Sequence, residues 1–288
     1  MSIFIILSIL SSSVLFLILK SLATWRINNF QGIVINYYTA ALLSFLFSLD
    51  NNIENLHRLP EFAHVSIGIG FLFIIIFMVM ALTTQKISIA ITSVASKMSL
   101  VIPIVVSIMV YNEKVNAKII AGIVLAVLSV YLVSKPRHAE KAKSMTWKLA
   151  MLPIILFIGS GVIDTAMKYS QQFVIPDGCR ELFTATLFFT AAVFGTIKML
   201  TDSKTRVNFG WRSVGAGVLL GIPNFFSIFF LLKALEYVPN KSAIVFSVNN
   251  TGIVLFSAVL AYFVFREKLS LVNMFGIAIA ITSIFLLS

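Results

Sequence analysis

The chain has 288 residues, of which 59% are hydrophobic and 11% charged, with a mean hydropathy of +1.00. Soluble domains carry about 45–50% apolar and about 25% charged residues, so this composition excludes a soluble enzyme, whose surface needs more polar cover, and it excludes a disordered chain. The net charge of +11 comes from 22 Lys and Arg against 11 Asp and Glu; the basic residues lie mainly in short segments between apolar runs, which points to membrane orientation and anionic headgroups and away from nucleic acid.

A membrane-spanning helix needs roughly 20 mainly apolar residues. In chain order such runs are Ser2–Lys20, Phe30–Leu49, Phe62–Thr84, Ile87–Tyr111, Val115–Ser134, Trp147–Gln171, Cys179–Leu200, Trp211–Leu235, Lys241–Phe265 and Leu269–Ser288. The fold class expected is all-α: a polytopic membrane protein with ten transmembrane helices. The opening MSIFIILSIL has no basic stretch before it, so it reads as a retained first span and not as a cleaved signal. The longer connectors are Asp50–Glu61, Lys135–Thr146, Gln172–Gly178 and Thr201–Gly210. The segment Lys135–Thr146 is charged, contains a helix-stopping proline and reads as a midpoint linker.

The two halves match each other. A shift of 154 places Glu113 on Glu267, Lys114 on Lys268, Gly122 on Gly276, Ala126 on Ala280, Ser129 on Ser283 and Ser134 on Ser288. It also places Ser88 on Ser242, Ser93 on Ser247, and Ser96–Lys97 on Asn250–Thr251. A shift of 148 places Lys20 on Lys168. The domains expected are residues 1–134 and 147–288, five spans each, joined by residues 135–146. Five is odd, so the second repeat enters the membrane from the opposite side, the inverted plan of secondary transporters with a central site.

The doubled pattern of an apolar helix, a Glu-Lys turn and a glycine-bearing last helix, Val110–Glu113–Lys114…Gly122 and Val264–Glu267–Lys268…Gly276, resembles the drug/metabolite transporter superfamily in its ten-span EamA branch. Pro103, ten residues before Glu113, fits the fourth span of that family; its counterpart is Ser257, where the second half departs from the pattern. The resemblance implies a carrier of small metabolites, amino acids, nucleotide sugars or drugs, with no bound cofactor and no ATPase module. The residues agree on ATP, since no GxxxxGK[ST] phosphate loop is present. The single cysteine, Cys179, excludes an internal disulfide and a cysteine-based metal cluster.

An ionisable residue at membrane depth is costly and is a functional candidate by default. Lys97 lies ten residues into its span, close to the midplane, with Ser93 one turn earlier on the same face. In the repeat this stripe becomes Ser247, Asn250 and Thr251, with Asn249 beside it. These read as two half-sites on one cavity, where Lys97 would attract a carboxylate, phosphate or sulfonate; the alternative is a structural lysine paired with a buried acid. Ser160, Asp164 and Lys168 share one helix face, and acid before base at i, i+4 favours an ion pair. Either that pair only makes burial tolerable, or Asp164 takes up a proton while Lys168 or Lys20 contacts substrate. Asn36, Tyr37, Tyr38 and Asn224 are uncharged polar positions that serve inter-helix hydrogen bonds or line the cavity. Gly122-xxx-Ala126, Gly276-xxx-Ala280, Gly217-xxx-Gly221 and Ala191-xxx-Gly195 allow close helix approach. Glu113 and Glu267 suggest capping or a gate contact at the membrane surface.

The function expected is a secondary transporter in the cytoplasmic membrane, moving a small anionic or zwitterionic organic metabolite by alternating access, without ATP, cofactor or metal. Alternatives are a drug or cation exporter driven by proton exchange through Asp164, and a lipid flippase. A membrane enzyme is disfavoured, because no HExxH, serine triad or histidine cluster lies at membrane depth. The expected partners are a small-molecule substrate and membrane lipids, with the chain a monomer or homodimer. Counting Lys and Arg on alternate sides gives 14 on the linker side and 7 on the side of both termini, which places the linker in the cytoplasm and both ends outside; the family resemblance implies cytoplasmic ends instead.

Overall fold

A computed structural model describes residues 2–111, 116–134, 147–202, 209–237 and 242–287. The linker Lys135–Thr146 and the first Glu-Lys turn, Glu113–Lys114, lie outside these residues. Among the described residues all regular structure is helical: α1 (Ser2–Thr24), α2 (Asn29–Leu46), α3 (Leu49–Glu54), a 3₁₀ turn (Leu56–Arg58), α4 (Leu59–Lys86), α5 (Ile89–Met98), α6 (Val101–Tyr111), α7 (Ala117–Val133), α8 (Trp147–Phe173), α9 (Arg180–Thr201), α10 (Trp211–Glu236), α11 (Ser242–Phe265) and α12 (Leu271–Leu287).

Seven stretches among these residues are long and apolar enough to cross a membrane: Ile3–Thr24, Leu56–Lys86, Ile89–Met109, Leu149–Phe173, Arg180–Thr201, Trp211–Leu235 and Ile244–Phe265. The other three expected spans fall on α2, with 18 residues, and on the 17-residue apolar helices α7 and α12. At 1.5 Å per residue the last two reach only about 25 Å of a roughly 30 Å hydrocarbon layer. The chain is a multi-pass, all-helical membrane protein.

The helices gather into two compact units that are interleaved along the chain, each taking segments from both sequence repeats. The first comprises Met1–Leu17, Val79–Asp164 and Ser227–Ser288, and the second Ile18–Met78 and Thr165–Phe226.

In the first unit α7 crosses α12. The buried stripe of α7 is Gly122, Ala126, Ser129, Val130 and Val133, while Ile120, Val124, Val127, Leu128 and Tyr131 are exposed. On α12 Asn273, Gly276, Ala280 and Ser283 are buried, while Leu271, Val272, Met274, Phe275 and Phe285 are exposed. Small and polar residues sit inward beside the buried Val130, Val133, Ile277 and Ile284, with further large apolar residues outward, the pattern of helices packed in lipid, where small residues let the backbones approach closely. A methyl built on Gly122 would meet Leu286 and Leu287, and one built on Gly276 would meet Leu132 and Val133. Ser283 donates to the Gly122 carbonyl at 2.7 Å, and the Asn273 amide donates to the Val133 carbonyl at 2.9 Å. The helices therefore run antiparallel. The shift of 154 converts one glycine contact into the other, since it carries Leu132 and Val133 onto Leu286 and Leu287.

In the second unit α10 lies along α2, and the two run parallel. Ser213 donates to the Gln31 side chain at 2.7 Å, methyls on Gly217 and Gly221 would strike Ile35 and Thr39, and Asn224 Nδ2 donates to Asn36 Oδ1 at 3.1 Å. Tyr37 is fully buried among Phe73, Phe77 and Phe188, its hydroxyl donating to the Phe73 carbonyl at 2.9 Å. Outside the spans, Asn51 donates at 2.8 Å to the carbonyl of Gly178, whose φ of 80° suits glycine.

Candidate functional site

The site is built at a break in a helix. The sequence predicts one span over Ile87–Tyr111, and the structure divides it into α5 and α6 at Ser99–Leu100. The cause is Pro103. It has no N–H for the Ser99 carbonyl, the acceptor four residues earlier, so that carbonyl accepts from Ile102 instead at 2.9 Å. Its counterpart Ser257 leaves α11 continuous.

The other end of α5 is held by a cap. Ser88 Oγ donates to the Glu267 carboxylate at 2.7 Å, and the Ile89 N–H donates to the same carboxylate at 3.2 Å. A carboxylate at a helix N-terminus satisfies orphan donors and complements the helix dipole. Glu267 therefore acts as a cap.

Lys97 sits in the last turn of α5 and is half-buried. Across from the break, Asp164 on α8 is exposed. Ser99 Oγ lies 2.8 Å from Asp164 Oδ2 and 2.7 Å from the Ser96 carbonyl oxygen. The Lys97 and Asp164 charges act on one another, but no ion pair joins them among the described residues. A lysine at the end of a half-helix, a serine in the break and an aspartate on a facing helix are thus brought together from positions up to 67 residues apart.

The remaining candidates divide between the units. Ser93 is fully buried and its hydroxyl donates to the Ala90 carbonyl of its own helix at 2.9 Å. On α11, Asn249 and Thr251 are buried, and Asn249 Oδ1 and Thr251 Oγ1 have no hydrogen-bond partner among the described residues; Asn250 is half-buried. These belong to the first unit with Lys97 and Asp164. Asn36, Tyr38, Asn224 and Lys168 belong to the second. There Asn36 and Asn224 bond each other, and the Tyr38 hydroxyl pairs with Thr196 Oγ1 at 2.9 Å on an exposed face, its ring edge-on to Phe189. Lys168 is exposed on α8. Ser99 was not singled out by sequence. The available signal was its place two residues after Lys97 and four before Pro103.

Among the described residues no three His, Cys, Asp or Glu side chains gather to hold a metal ion. Beyond the spans, burial pushes the Cys179 thiol above its ordinary range, against the opposing pull of Arg58. Arg58 Nε donates to Glu61 Oε1 at 3.1 Å.

The chain is 27% identical over 263 residues to an uncharacterized protein of Haemophilus influenzae, covering 89% of this chain and 87% of that protein. The EamA-like transporter family matches twice, over residues 1–135 and again over 147–288. With both halves matched, a half-buried lysine and an aspartate at a helix break, and exposed apolar stripes, the chain belongs to the EamA-like transporter family, whose members are membrane transporters of the drug/metabolite type.

Proposed function

We propose that this chain is a secondary transporter in the cytoplasmic membrane that moves a small anionic or zwitterionic organic solute by alternating access, coupled to a proton held at Asp164. The observation that carries this reading is the Ser99 hydroxyl, which has two acceptors in reach and one hydrogen. With Asp164 ionised, Ser99 donates either to the Ser96 carbonyl or to the carboxylate. With Asp164 protonated, both contacts are made: Asp164 donates to Ser99 Oγ, and Ser99 donates to Ser96. The local hydrogen-bond inventory therefore closes when a proton is present.

The charge logic follows. A protonated Asp164 is neutral and leaves Lys97 as the net charge of the site, which attracts an anionic group. An ionised Asp164 draws on Lys97 itself, competes with the solute and favours release. The break at Ser99–Leu100 lets α5 move with respect to α6 at the place where the charge changes, as discontinuous helices do in other transporters. The exchange relation between the Gly122 and Gly276 contacts supports two inverted five-helix repeats over residues 1–134 and 147–288. The charge count puts the linker in the cytoplasm. A cation exporter would use Asp164 as its substrate group, and the adjacent Lys97 disfavours that alternative.

The test is transport in proteoliposomes against a panel of organic anions and zwitterions. Lys97→Ala abolishes uptake of the transported solute. Asp164→Asn retains solute exchange but no longer responds to a pH gradient. A pH-gradient response in Asp164→Asn equal to wild type removes the proton role, and equal anion transport by Lys97→Ala removes the lysine from the mechanism.

A further inference from the structure

Two Trp-Arg dipeptides, Trp25–Arg26 and Trp211–Arg212, lie 186 residues apart in sequence and meet in the second unit, where Arg212 Nη2 donates to the Trp25 carbonyl at 3.4 Å. That carbonyl is an orphan acceptor at the end of α1, and the arginine satisfies it. The peptide bond places Arg26 directly beside the contact. Both arginines are exposed, Trp211 is 89% exposed and Trp25 is 38% exposed. Each tryptophan stands at a span end, the level where indole rings meet the headgroup layer.

Arg26 has a backbone that does not suit it. Its φ is 55°, closing α1 through Ile27 N–H to the Leu22 carbonyl at 3.0 Å. Glycine is the residue that fits a left-handed helix end without strain. Among the described residues only Arg26 and Arg266 are non-glycine with positive φ, and both are arginines ending a span. A strained residue kept where glycine is easier points to work done by its side chain.

The charges around this corner are one-sided. At the same end of the unit Asp202 is engaged by Lys198 at 3.0 Å. The other described acids of the unit, Asp50, Glu54, Glu61, Asp177 and Glu181, stand near the opposite ends of α2 and α9. Among the described residues no carboxylate pairs with Arg26 or Arg212. We infer that the corner formed by Trp25, Arg26, Trp211 and Arg212 is a binding site for the phosphodiester of an anionic membrane lipid. The two guanidiniums hold the phosphate oxygens, and the two indoles lie at the glycerol level.

The experiment uses the full chain in vesicles of phosphatidylcholine, alone or mixed with phosphatidylglycerol. It measures the thermal midpoint, and the retention of phosphatidylglycerol by native mass spectrometry. Wild type is stabilised by phosphatidylglycerol and retains it. Arg26→Gly unfolds at the same or a higher temperature in phosphatidylcholine, because the strain is gone, yet retains phosphatidylglycerol about fivefold more weakly. Arg26→Asn, which also tolerates this backbone, behaves likewise. Equal retention by wild type and both variants overturns the site, as does a midpoint indifferent to phosphatidylglycerol. Inorganic phosphate that reproduces the shift in phosphatidylcholine vesicles overturns the lipid assignment in favour of a free-anion site.

Discussion

Replacing Gly221 with alanine tests the crossing of α10 on α2. The added methyl would lie 2.5 Å from Thr39 Cβ and 2.7 Å from the Asn36 carbonyl oxygen. Carbon atoms rest at roughly 3.5 Å, so the two helices must part locally by about 1 Å. One obstacle is backbone and the other a β-branched Cβ, and neither can rotate away. Overpacking of this kind costs about 1–3 kcal/mol. One turn further along, the Asn224–Asn36 hydrogen bond of 3.1 Å stretches with the separation, at a further cost of about 0.6 kcal/mol on average for such a bond in a membrane protein. Gly215 on the same helix provides the control, because nothing lies within 4 Å of a methyl built there. Gly215→Ala is neutral or stabilising by up to about 1 kcal/mol, since alanine is the better helix former. Unfolding in dodecyl sulfate mixed micelles, followed by circular dichroism, therefore separates the two variants by about 2 kcal/mol or more, roughly a thirtyfold difference in the folded-to-unfolded ratio. Equal unfolding of Gly221→Ala and Gly215→Ala would refute the packing argument.

Three further outcomes are expected. Glu267→Ala removes the carboxylate that caps α5 and lowers stability by about 1–2 kcal/mol, with Glu267→Gln intermediate; thermal unfolding in detergent checks the order. Pro103→Ala restores the N–H missing opposite the Ser99 carbonyl and extends α5 toward α6; the protein becomes more stable by up to about 3 kcal/mol, while solute exchange in vesicles slows. Cys179 is fully buried with its thiol pushed up by that burial, so its thiolate is scarce at neutral pH and appears only as pH rises past the elevated value; maleimide labelling of folded protein is slow at neutral pH, rises on the alkaline side and becomes fast at neutral pH on unfolding.

Much of the architecture is legible in the apolar runs. Their length marks the helices, and the spacing of Gly122, Ala126, Ser129 and Val133 marks which face of α7 meets a neighbour. Lys97 stands out for a physical reason, since a charge ten residues into an apolar span needs an explanation. What periodicity cannot supply is the identity of the neighbour. Asn36 and Asn224 look like two separate polar positions until the fold pairs them across 188 residues. Asp164 invites pairing with Lys168 on its own helix, yet its hydrogen bond goes to Ser99. Pro103 was visible, but whether a proline bends a span or divides it depends on where the freed carbonyl finds its donor, and here Ile102 takes that part. The interleaving of the two compact units likewise comes from contacts between distant segments, which no local pattern encodes.

The contrast between Pro103 and Ser257 has a kinetic consequence. On the alternating-access mechanism proposed above, two related halves, one jointed and one stiff, make an engine with unequal strokes: the turn that flexes the α5–α6 joint and the turn that relies on unbroken α11 cross different barriers. On that mechanism the maximal rates of transport into a solute-free compartment differ between the two directions, with compensating differences in apparent affinity, and Ser257→Pro on α11 brings the two maximal rates together.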